Sequence, residues 1–418
     1  MERGDILTMS QRELQRDHIM RQVIQGMISL REASELMDVS YRQAKRIKAT
    51  YSREGPRGLI HGNRGRASPH RVPEPVKQRI MTLSKQRYAL FNDTHFCQML
   101  AQEENIHVSR ETVRRMRRQG GIAAKRKHRS PKHRSRRQRM AREGLLVQWD
   151  GSPHHWFGPN HPACCLMTGI DDATSRLLAA LFVPHECSLA YLRLLEAIIR
   201  KYGIPTALYH DCHTCLHRTD NHWSLKEQLQ GYQDPPQVGR AMQELGITSI
   251  AAGSPQAKGR VERGFATLQD RLVAELDLRG ITEIDAANQY LKQRFIADHN
   301  RRFAVAPCEA SAAWRPKPSR DSLRLALSFC YEATVGNDNA VRIGGIVIDI
   351  PPGPRGRSYA KARVTVRQLL DGSWRVFYQH RLIARKQSTG TPKPLKTHVR
   401  KRHLGPADTQ VFMASAPS

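Results

Sequence analysis

The sequence GSPQAKGRVER, residues 253–263, decides how the rest of the chain is interpreted. The apolar run Thr248 to Ala252 precedes this turn and predicts a short strand. A long amphipathic helix is predicted after it, because apolar residues recur at spacings of three and four, at Val261, Phe265, Leu268, Leu272 and Leu276. Glu262 lies beside that apolar stripe in the helix's opening turns. One carboxylate cannot hold a catalytic metal, and two upstream apolar runs each end at an acid, at Asp150 and Asp211.

The composition points to a polyanionic partner. The 418 residues include 68 Lys and Arg against 38 Asp and Glu, a formal charge of +30. Nucleic acid is the leading partner because each neutralised phosphate releases counterions; a generic basic protein or an anionic membrane surface is the alternative. The eight cysteines show no disulfide spacing, and no signal peptide or apolar run of membrane-spanning length occurs. These features predict a soluble cytoplasmic protein without a membrane partner.

Residues 1–54 are predicted to form a helix-turn-helix unit. Apolar contacts would come from Ala33, Leu36, Val39, Ala44 and Ile47, and Ser40 with Gln43 predicts a capping box at the start of the third helix. The outer face of that helix carries the residues predicted to bind DNA: Tyr41, Arg42, Lys45 and Arg46. The alternative is a plain three-helix domain with a solvated basic face.

A linker, residues 55–74, precedes a second predicted helix-turn-helix unit at 75–121. Its last helix carries four arginines predicted to bind DNA: Arg110, Arg114, Arg115 and Arg118. Residues 122–143 form a basic linker, since Lys125 to Arg142 holds ten Lys or Arg residues and no acid. We expect this run, which includes Arg126 and Arg129, to lie along nucleic acid; a solvated linker is the alternative.

Residues 144–280 read as an α/β core with the element order βββαβαβα. A helical extension, 281–325, follows it. Beyond that the apolar period becomes two, and an Asp371-Gly372 turn separates two of the strands, so residues 326–405 predict a small antiparallel β-barrel. Residues 406–418 read as a disordered tail.

Three acidic blocks resemble those of DDE transposases and integrases. They are Trp149-Asp150-Gly151, Tyr209-His210-Asp211-Cys212-His213-Thr214, and Ser254-Pro255-Gln256 leading to Gly259-Arg260-Val261-Glu262-Arg263. The chain is similar in particular to ISNCY-type insertion-sequence transposases, over roughly residues 10–390. The resemblance implies a ribonuclease H-like (integrase) core whose fourth strand lies parallel to its first. Asp150 and Asp211 would then be neighbours, with Glu262 approaching from its helix.

The resemblance also implies two Mg²⁺ (or Mn²⁺) ions per active site, held by Asp150, Asp211 and Glu262. Asp150 would be shared by both ions. Lys258, Arg260 and Arg263 flank Glu262 and would hold the scissile phosphate or neighbouring DNA backbone.

Some assignments around the second acid stay open. His213 is a possible auxiliary residue near the leaving group, with a structural role as the alternative. Asp171, Asp172 and Asp220 are weaker substitutes for Asp211. Zinc binding around Cys212 and Cys215 lacks the second ligand couple that a structural zinc site needs.

The implied function is transposition. The protein would bind the terminal inverted repeats of its element as double-stranded DNA, cleave one strand, and join the 3′-hydroxyl to target DNA. It would act as a homo-oligomer on DNA at the bacterial nucleoid. Two other functions remain open: a catalytically inactive DNA-binding regulator, and a nuclease for RNA strands.

Overall fold

A computed structural model describes residues 7–65, 71–125, 137–211, 213–216, 218, 223–252, 259–392 and 395. The chain divides into two compact units, Met1–Arg79 and Ile80–Ser418. None of the helices in these ranges combines the length and the apolar character needed to cross a lipid bilayer.

The first unit contains helices α1 (Gln11–Ile24), α2 (Leu30–Leu36) and α3 (Tyr41–Glu54), followed by a 3₁₀ turn at Gly55–Leu59. Its core contains Ile19, Met20, Val23, Ala33 and Leu59. Ala44 is fully buried, as predicted. Leu36, predicted to make apolar contacts, is instead 56% exposed because the unit closes on α1 and on Leu59.

Serine caps begin all three of these helices. At α1 and α2 both halves of a capping box are present, pairing Ser10 with Glu13 and Ser29 with Glu32. At α3 the Ser40 hydroxyl accepts a hydrogen bond from the Gln43 backbone at 3.2 Å. The Gln43 side chain does not accept a hydrogen bond from the Ser40 amide in this described segment. Only the serine cap of the predicted capping box therefore forms.

The second unit includes helices α4 (Glu74–Gln86, beginning just before the boundary), α5 (Asp93–Glu103) and α6 (Arg110–Gln119). Asn92 and Ser109 cap α5 and α6 by accepting backbone hydrogen bonds. The apolar interior of this helical region is fully buried and comprises Ile80, Tyr88, Phe91, Phe96, Leu100 and Val113.

The core sheet has the strand order β3-β2-β1-β4-β5. Its strands are β1 (Leu146–His154), β2 (Cys164–Asp171), β3 (Leu177–Val183), β4 (Ala207–His210) and β5 (Thr248–Ala251). The first three form an antiparallel meander, whereas β4 pairs parallel to β1 and β5 pairs parallel to β4. The predicted integrase-like core is therefore confirmed.

Helices cover both faces of this sheet. One apolar cluster joins it to α7 (Ser188–Tyr202) and α9 (Gln237–Glu244), and the other joins it to α10 (Gly259–Leu278) and α11 (Ile284–Tyr290). The five apolar residues predicted along α10, namely Val261, Phe265, Leu268, Leu272 and Leu276, are all buried there. A short helix α8 (Leu225–Gln230) lies in the connection that follows β4.

Two asparagine side chains form hydrogen bonds with the backbone at the outer edge of β3. Asn288 on α11 accepts a hydrogen bond from the Phe182 backbone and donates one to its carbonyl, at 2.7 and 3.0 Å. Asn300 on α12 (Ile296–Phe303) does the same at Leu177, at 2.8 and 2.9 Å. A π-helical segment, Leu291–Phe295, joins the two helices. The side-chain amides thus replace a sixth strand.

A buried polar network fixes α5 on α10. The His95 Nε2 atom lies 3.0 Å from Glu275 Oε1, and the Tyr290 hydroxyl donates to the other oxygen of the same carboxylate. Nearby, Arg271 donates to the Gln98 side chain at 2.8 Å. The helix that carries Glu262 is therefore held firmly against the second helical region.

After α13 (Arg320–Ala326) the chain forms β6 (Phe329–Thr334), β7 (Ala340–Ile343), β8 (Ile346–Asp349), β9 (Arg363–Gln368), β10 (Trp374–Tyr378) and β11 (Arg381–Lys386). The strands build a four-stranded antiparallel sheet, β11-β10-β9-β6, and a β7-β8 hairpin. Both contribute to one core around Val341, Ile348, Val366 and Trp374. This confirms the predicted antiparallel C-terminal domain.

Candidate active site

Asp150 and Asp211 lie at the same level on neighbouring strands. Parallel pairing of β1 with β4 sets Leu146 opposite Ala207 and Gln148 opposite Tyr209. Two residues further along both strands, this register arrives at Asp150 and Asp211. Both side chains are half-buried. The two acids at which the apolar runs of the sequence end therefore follow equivalent positions of neighbouring parallel strands.

Backbone amides orient both carboxylates. The Gly151 amide donates to Asp150 Oδ1 at 3.0 Å, and the His213 amide donates to Asp211 Oδ1 at 3.1 Å. Backbone bonds of this kind hold a carboxylate in one orientation without neutralising its charge.

Glu262 lies in the first turn of α10 and is exposed. Further along α10, the Gln269 amide donates to Ser152 Oγ at 3.2 Å, so that face of the helix points at β1. Glu262 precedes Gln269 by two helical turns, on the same helix face and about 10 Å along the axis. Asp150 and Ser152 project from the same side of β1 because side chains alternate along a strand. Glu262 thus faces the side of the sheet from which Asp150 projects.

The three predicted acids do not form a closed metal cage. Within the described ranges, no group of three or more His, Cys, Asp or Glu side chains is close enough to hold a metal ion. In chemical type, the paired aspartates suit a hard divalent cation, which prefers carboxylate oxygen. A third carboxylate would have to approach them, and Glu262 is directed toward their side of the sheet.

Glu186, which the sequence did not identify, is a further acid near this pair, on the α7 side of the sheet and so on the side of β1 opposite to the one from which Asp150 projects. It lies between β3 and α7, and the Tyr191 hydroxyl donates a hydrogen bond to it. Its other oxygen packs against Gly151, the residue after Asp150. Burial, reinforced by Glu186 and more weakly by Asp211 and Asp150, raises the pKa of Tyr191. Glu186 therefore adds a carboxylate to the α7 side of the site.

Cys165 and His213 complete the surroundings of Glu186. Burial raises the pKa of the Cys165 thiol to about 12, with Glu186 adding to the effect, so it stays neutral. His213 Nδ1 accepts a hydrogen bond from the Cys215 amide at 3.3 Å and lies 3.9 Å from Glu186 Oε1. The structure therefore brings the predicted auxiliary His213 next to Asp211.

The weaker substitutes for Asp211 have structural contacts. Asp171 is fully buried and accepts hydrogen bonds from Thr174 and from the Gly144 amide. Asp172 is equally buried and binds Gln148 and Arg137. Both hold the turn after β2 and the start of β1. Asp220 lies outside the described residues. So does Cys212, which is one of the two cysteines considered as zinc ligands.

The predicted DNA-reading face of α3 is solvent-exposed. Tyr41, Arg42, Lys45 and Arg46 all have exposed side chains, and the Lys45 ammonium lies 4.8 Å from the centre of the Tyr41 ring. Ala44 points inward from the opposite side of the helix. This division of faces is what insertion of α3 into a DNA groove needs.

The arginines of α6 differ from one another. Arg110 and Arg114 line a cleft of about 510 Å³ beside α10, together with Lys125 and Arg271. Arg115 is exposed. Arg114 forms an ion pair with Glu111 of its own helix at 2.6 Å, and Arg118 forms one with Asp93 at 2.5 Å, which anchors α6 to α5. Two acids, Asp93 and Asp270, line the same cleft, so a cleft with more basic than acidic side chains adjoins the helix of Glu262.

Several predicted DNA contacts cannot be placed. Arg126, Arg129 and Lys258 lie outside the described residues, as does the side chain of Arg260. Arg263 is exposed in the first turn of α10, next to Glu262.

A family described as a helix-turn-helix domain matches residues 15–67. "Putative transposase y4bF" of Sinorhizobium fredii (strain NBRC 101917 / NGR234) is 37% identical over 332 residues, 79% of this chain and 71% of that protein. "Transposase for insertion sequence IS1202" of Streptococcus pneumoniae is 33% identical over 343 residues, 74% and 72% of the two chains.

Solved structures show weaker likeness. A chain of the simian T-cell lymphotropic virus intasome in complex with PP2A regulatory subunit B56 gamma is 15% identical, with a TM-score of 0.31; the match covers 68% of this chain and 93% of that one. The HTLV-2 integrase catalytic core domain in complex with magnesium (dimeric form) is 15% identical, with a TM-score of 0.24 and coverages of 36% and 88%. TM-scores this low carry no conclusion about function.

Proposed function

This chain belongs to the transposases, and we propose that it binds the terminal inverted repeats of its own element and cleaves and transfers DNA strands there. Two observations support the proposal: the β1–β4 register pairs Gln148 with Tyr209, two residues before Asp150 and Asp211, and the Gln269–Ser152 contact turns the face of α10 that carries Glu262 toward β1. DNA cleavage and joining need such a group of carboxylates when divalent cations are used.

The chain's own residues would share the work as follows. Asp150 and Asp211, held by backbone amides, would present oxygens at one edge of the sheet. Glu262 would complete the set as the first turn of α10 closes on bound DNA. Arg263, with Lys258 and Arg260, would hold the phosphates next to the scissile bond. Bound Mg²⁺ or Mn²⁺, two ions per site, would supply activation of the attacking oxygen and stabilisation of the leaving 3′-oxygen.

DNA recognition would be divided between the two units. Tyr41, Arg42, Lys45 and Arg46 on α3 would read base edges in a major groove. The cleft lined by Arg110 and Arg114 would hold backbone phosphates near α10. Two element ends have to meet for transposition, so we expect the protein to act as a homo-oligomer on double-stranded DNA, at the nucleoid in the bacterial cytoplasm.

Strand cleavage tests the assignment of Glu262. Wild-type protein and Glu262→Gln are each incubated with labelled DNA that carries the element's flanking repeats, with Mg²⁺ present. The variant should bind this DNA normally and cut roughly 10³-fold more slowly, since the carboxylate contributes several kcal/mol at a metal site. Asp277→Asn is the matched control, because Asp277 is an exposed acid on the same helix. Equal cutting by Glu262→Gln and wild type would remove Glu262 from the active site.

A second candidate function is DNA-binding regulation without catalysis. The absence of a gathered three-acid group in the described part of the chain is the observation that favours it. Specific footprinting on the element ends, with no cleavage by the wild type in either Mg²⁺ or Mn²⁺, would make this function the better description.

A further inference from the structure

We propose that Glu186 is a positioning residue of this active site, whose negative charge beside Asp150 and Asp211 strengthens binding of the divalent cation. The inference rests on the proposed function and adds a residue to it. It assigns Glu186 an indirect role, because within the described ranges no three acids are close enough to ligate one ion together.

The first support is the fixed position of the Glu186 carboxylate. Tyr191 is completely buried in the core under the sheet, and its hydroxyl donates to Glu186 Oε1. The Tyr191 ring packs on Trp149 with a centroid distance of 5.0 Å, so it is held by the strand that carries Asp150. A charged side chain at a loop would ordinarily turn to solvent; here a buried hydroxyl holds it toward the site.

The second support is Gly151. This residue lies within β1 in an extended conformation that any amino acid can adopt, so the backbone does not require glycine. The lack of space requires glycine, because a Cβ atom added there would be 2.6 Å from Glu186 Oε2 and 3.0 Å from Cys165 Sγ. The glycine next to Asp150 therefore leaves room for a carboxylate on the α7 side of β1, while Asp150 projects from the other side of the strand, so Glu186 acts on the site through its charge and not through contact with Asp150.

The third support is the convergence of charge from three separate segments. Asp150 comes from β1, Asp211 from the end of β4, and Glu186 from the loop before α7. His213 links two of them, since its amide donates to Asp211 Oδ1 at 3.1 Å and its Nδ1 atom lies 3.9 Å from Glu186 Oε1. Like charges brought together repel, and a divalent cation removes that repulsion when it binds. Neutralising Glu186 should accordingly weaken cation binding while leaving the aspartates in place.

The test measures Mn²⁺ binding directly, by isothermal titration of the full chain without DNA. Glu186→Gln should bind Mn²⁺ about 10-fold more weakly than wild type, the lower end of the range for residues that support metal ligands. Gly151→Ala should weaken binding in the same direction, because it displaces the Glu186 carboxylate without changing any charge. Glu196→Gln, a change of the same kind on the outer part of α7 where Glu196 pairs with Arg200, should bind as wild type does.

Cleavage of element-end DNA separates the two proposals. Glu186→Gln should need more Mn²⁺ for half-maximal cutting and should recover at saturating Mn²⁺, since Glu186 touches no reacting atom; Asp150→Asn should not recover. If the wild type binds Mn²⁺ and cuts while Glu186→Gln matches it in both measurements, the positioning role is wrong and the proposed function stands. If the wild type neither binds Mn²⁺ nor cuts, both proposals fall. Tryptophan fluorescence confirms that each variant is folded.

Discussion

Acidification should destabilise the second unit through His299. This side chain on α12 is only 8% exposed and lies between two aromatic rings, with centroid distances of 5.8 Å to Phe295 and 4.7 Å to Phe303. Its Nδ1 atom is buried and has no hydrogen-bond partner among the residues that the structure describes. Burial, together with the nearby positive charges of Arg271 and Arg302, lowers the pKa of His299 to about 4.

The sign and size of the effect follow from the two pKa values. An unfolded histidine has a pKa of about 6.5. Below that pH the unfolded chain therefore binds a proton at this side chain, while the folded chain leaves it neutral. Neutral His299 makes its full contribution to the free energy of unfolding above about pH 6.5, and that contribution is lost as the pH falls toward 4. Between pH 7 and pH 5 the loss comes to about 2 kcal/mol from His299 alone. Burial lowers the pKa of His95 as well, which adds in the same direction.

Urea unfolding followed by tryptophan fluorescence measures this loss. All five tryptophans lie after residue 79, so the signal reports the second unit. The drop in unfolding free energy from pH 7 to pH 5 should be about 2 kcal/mol smaller in His299→Gln than in wild type. His107→Gln, at an exposed histidine of the same unit, should behave as wild type. An equal drop in His299→Gln and wild type would refute the assignment.

Two further predictions concern the edge of the sheet and the DNA-reading helix. Asn300→Ala should lower the free energy of unfolding by about 2 kcal/mol, because it leaves the buried Leu177 amide and carbonyl unpaired. Urea unfolding measures the change. A value below about 0.5 kcal/mol, the level of an ordinary surface substitution, would contradict this prediction. Arg46→Ala should weaken binding to element-end DNA by about 1–3 kcal/mol and relax the sequence preference at the base pair it contacts, because it removes a base-edge contact. Arg12→Ala, at an exposed arginine on α1, should leave both the affinity and the sequence preference unchanged.

The parts of the fold that the sequence predicted are those with a local signal. The spacing of apolar residues identified α10, and apolar runs that stop at an acid identified β1 and β4 with Asp150 and Asp211. The parallel pairing of β1 with β4 could then be predicted from the order of the elements, because short right-handed connections leave few possible arrangements of the strands. These predictions depend on periodicity within a few residues, which a single sequence displays.

The parts that it missed depend on contacts between distant residues. Glu186 meets Gly151 across 35 positions of chain, and nothing near Glu186 in the sequence marks it as different from a surface acid. The exposure of Leu36 follows from how α1 closes the first unit, which its own helix does not reveal. Arg118 reads as a DNA contact until the ion pair with Asp93 is seen. Tertiary contacts of this kind leave no periodic pattern.

The role of Asp211 is tested most directly by strand cleavage. Labelled DNA carrying the element's flanking repeats is incubated with Mg²⁺ and either wild-type protein or Asp211→Asn, and binding to the same DNA is measured in parallel. We predict that both proteins bind the ends and that only the wild type cuts at their boundary. Cutting by both proteins would contradict the pairing of Asp150 with Asp211 as the centre of the active site.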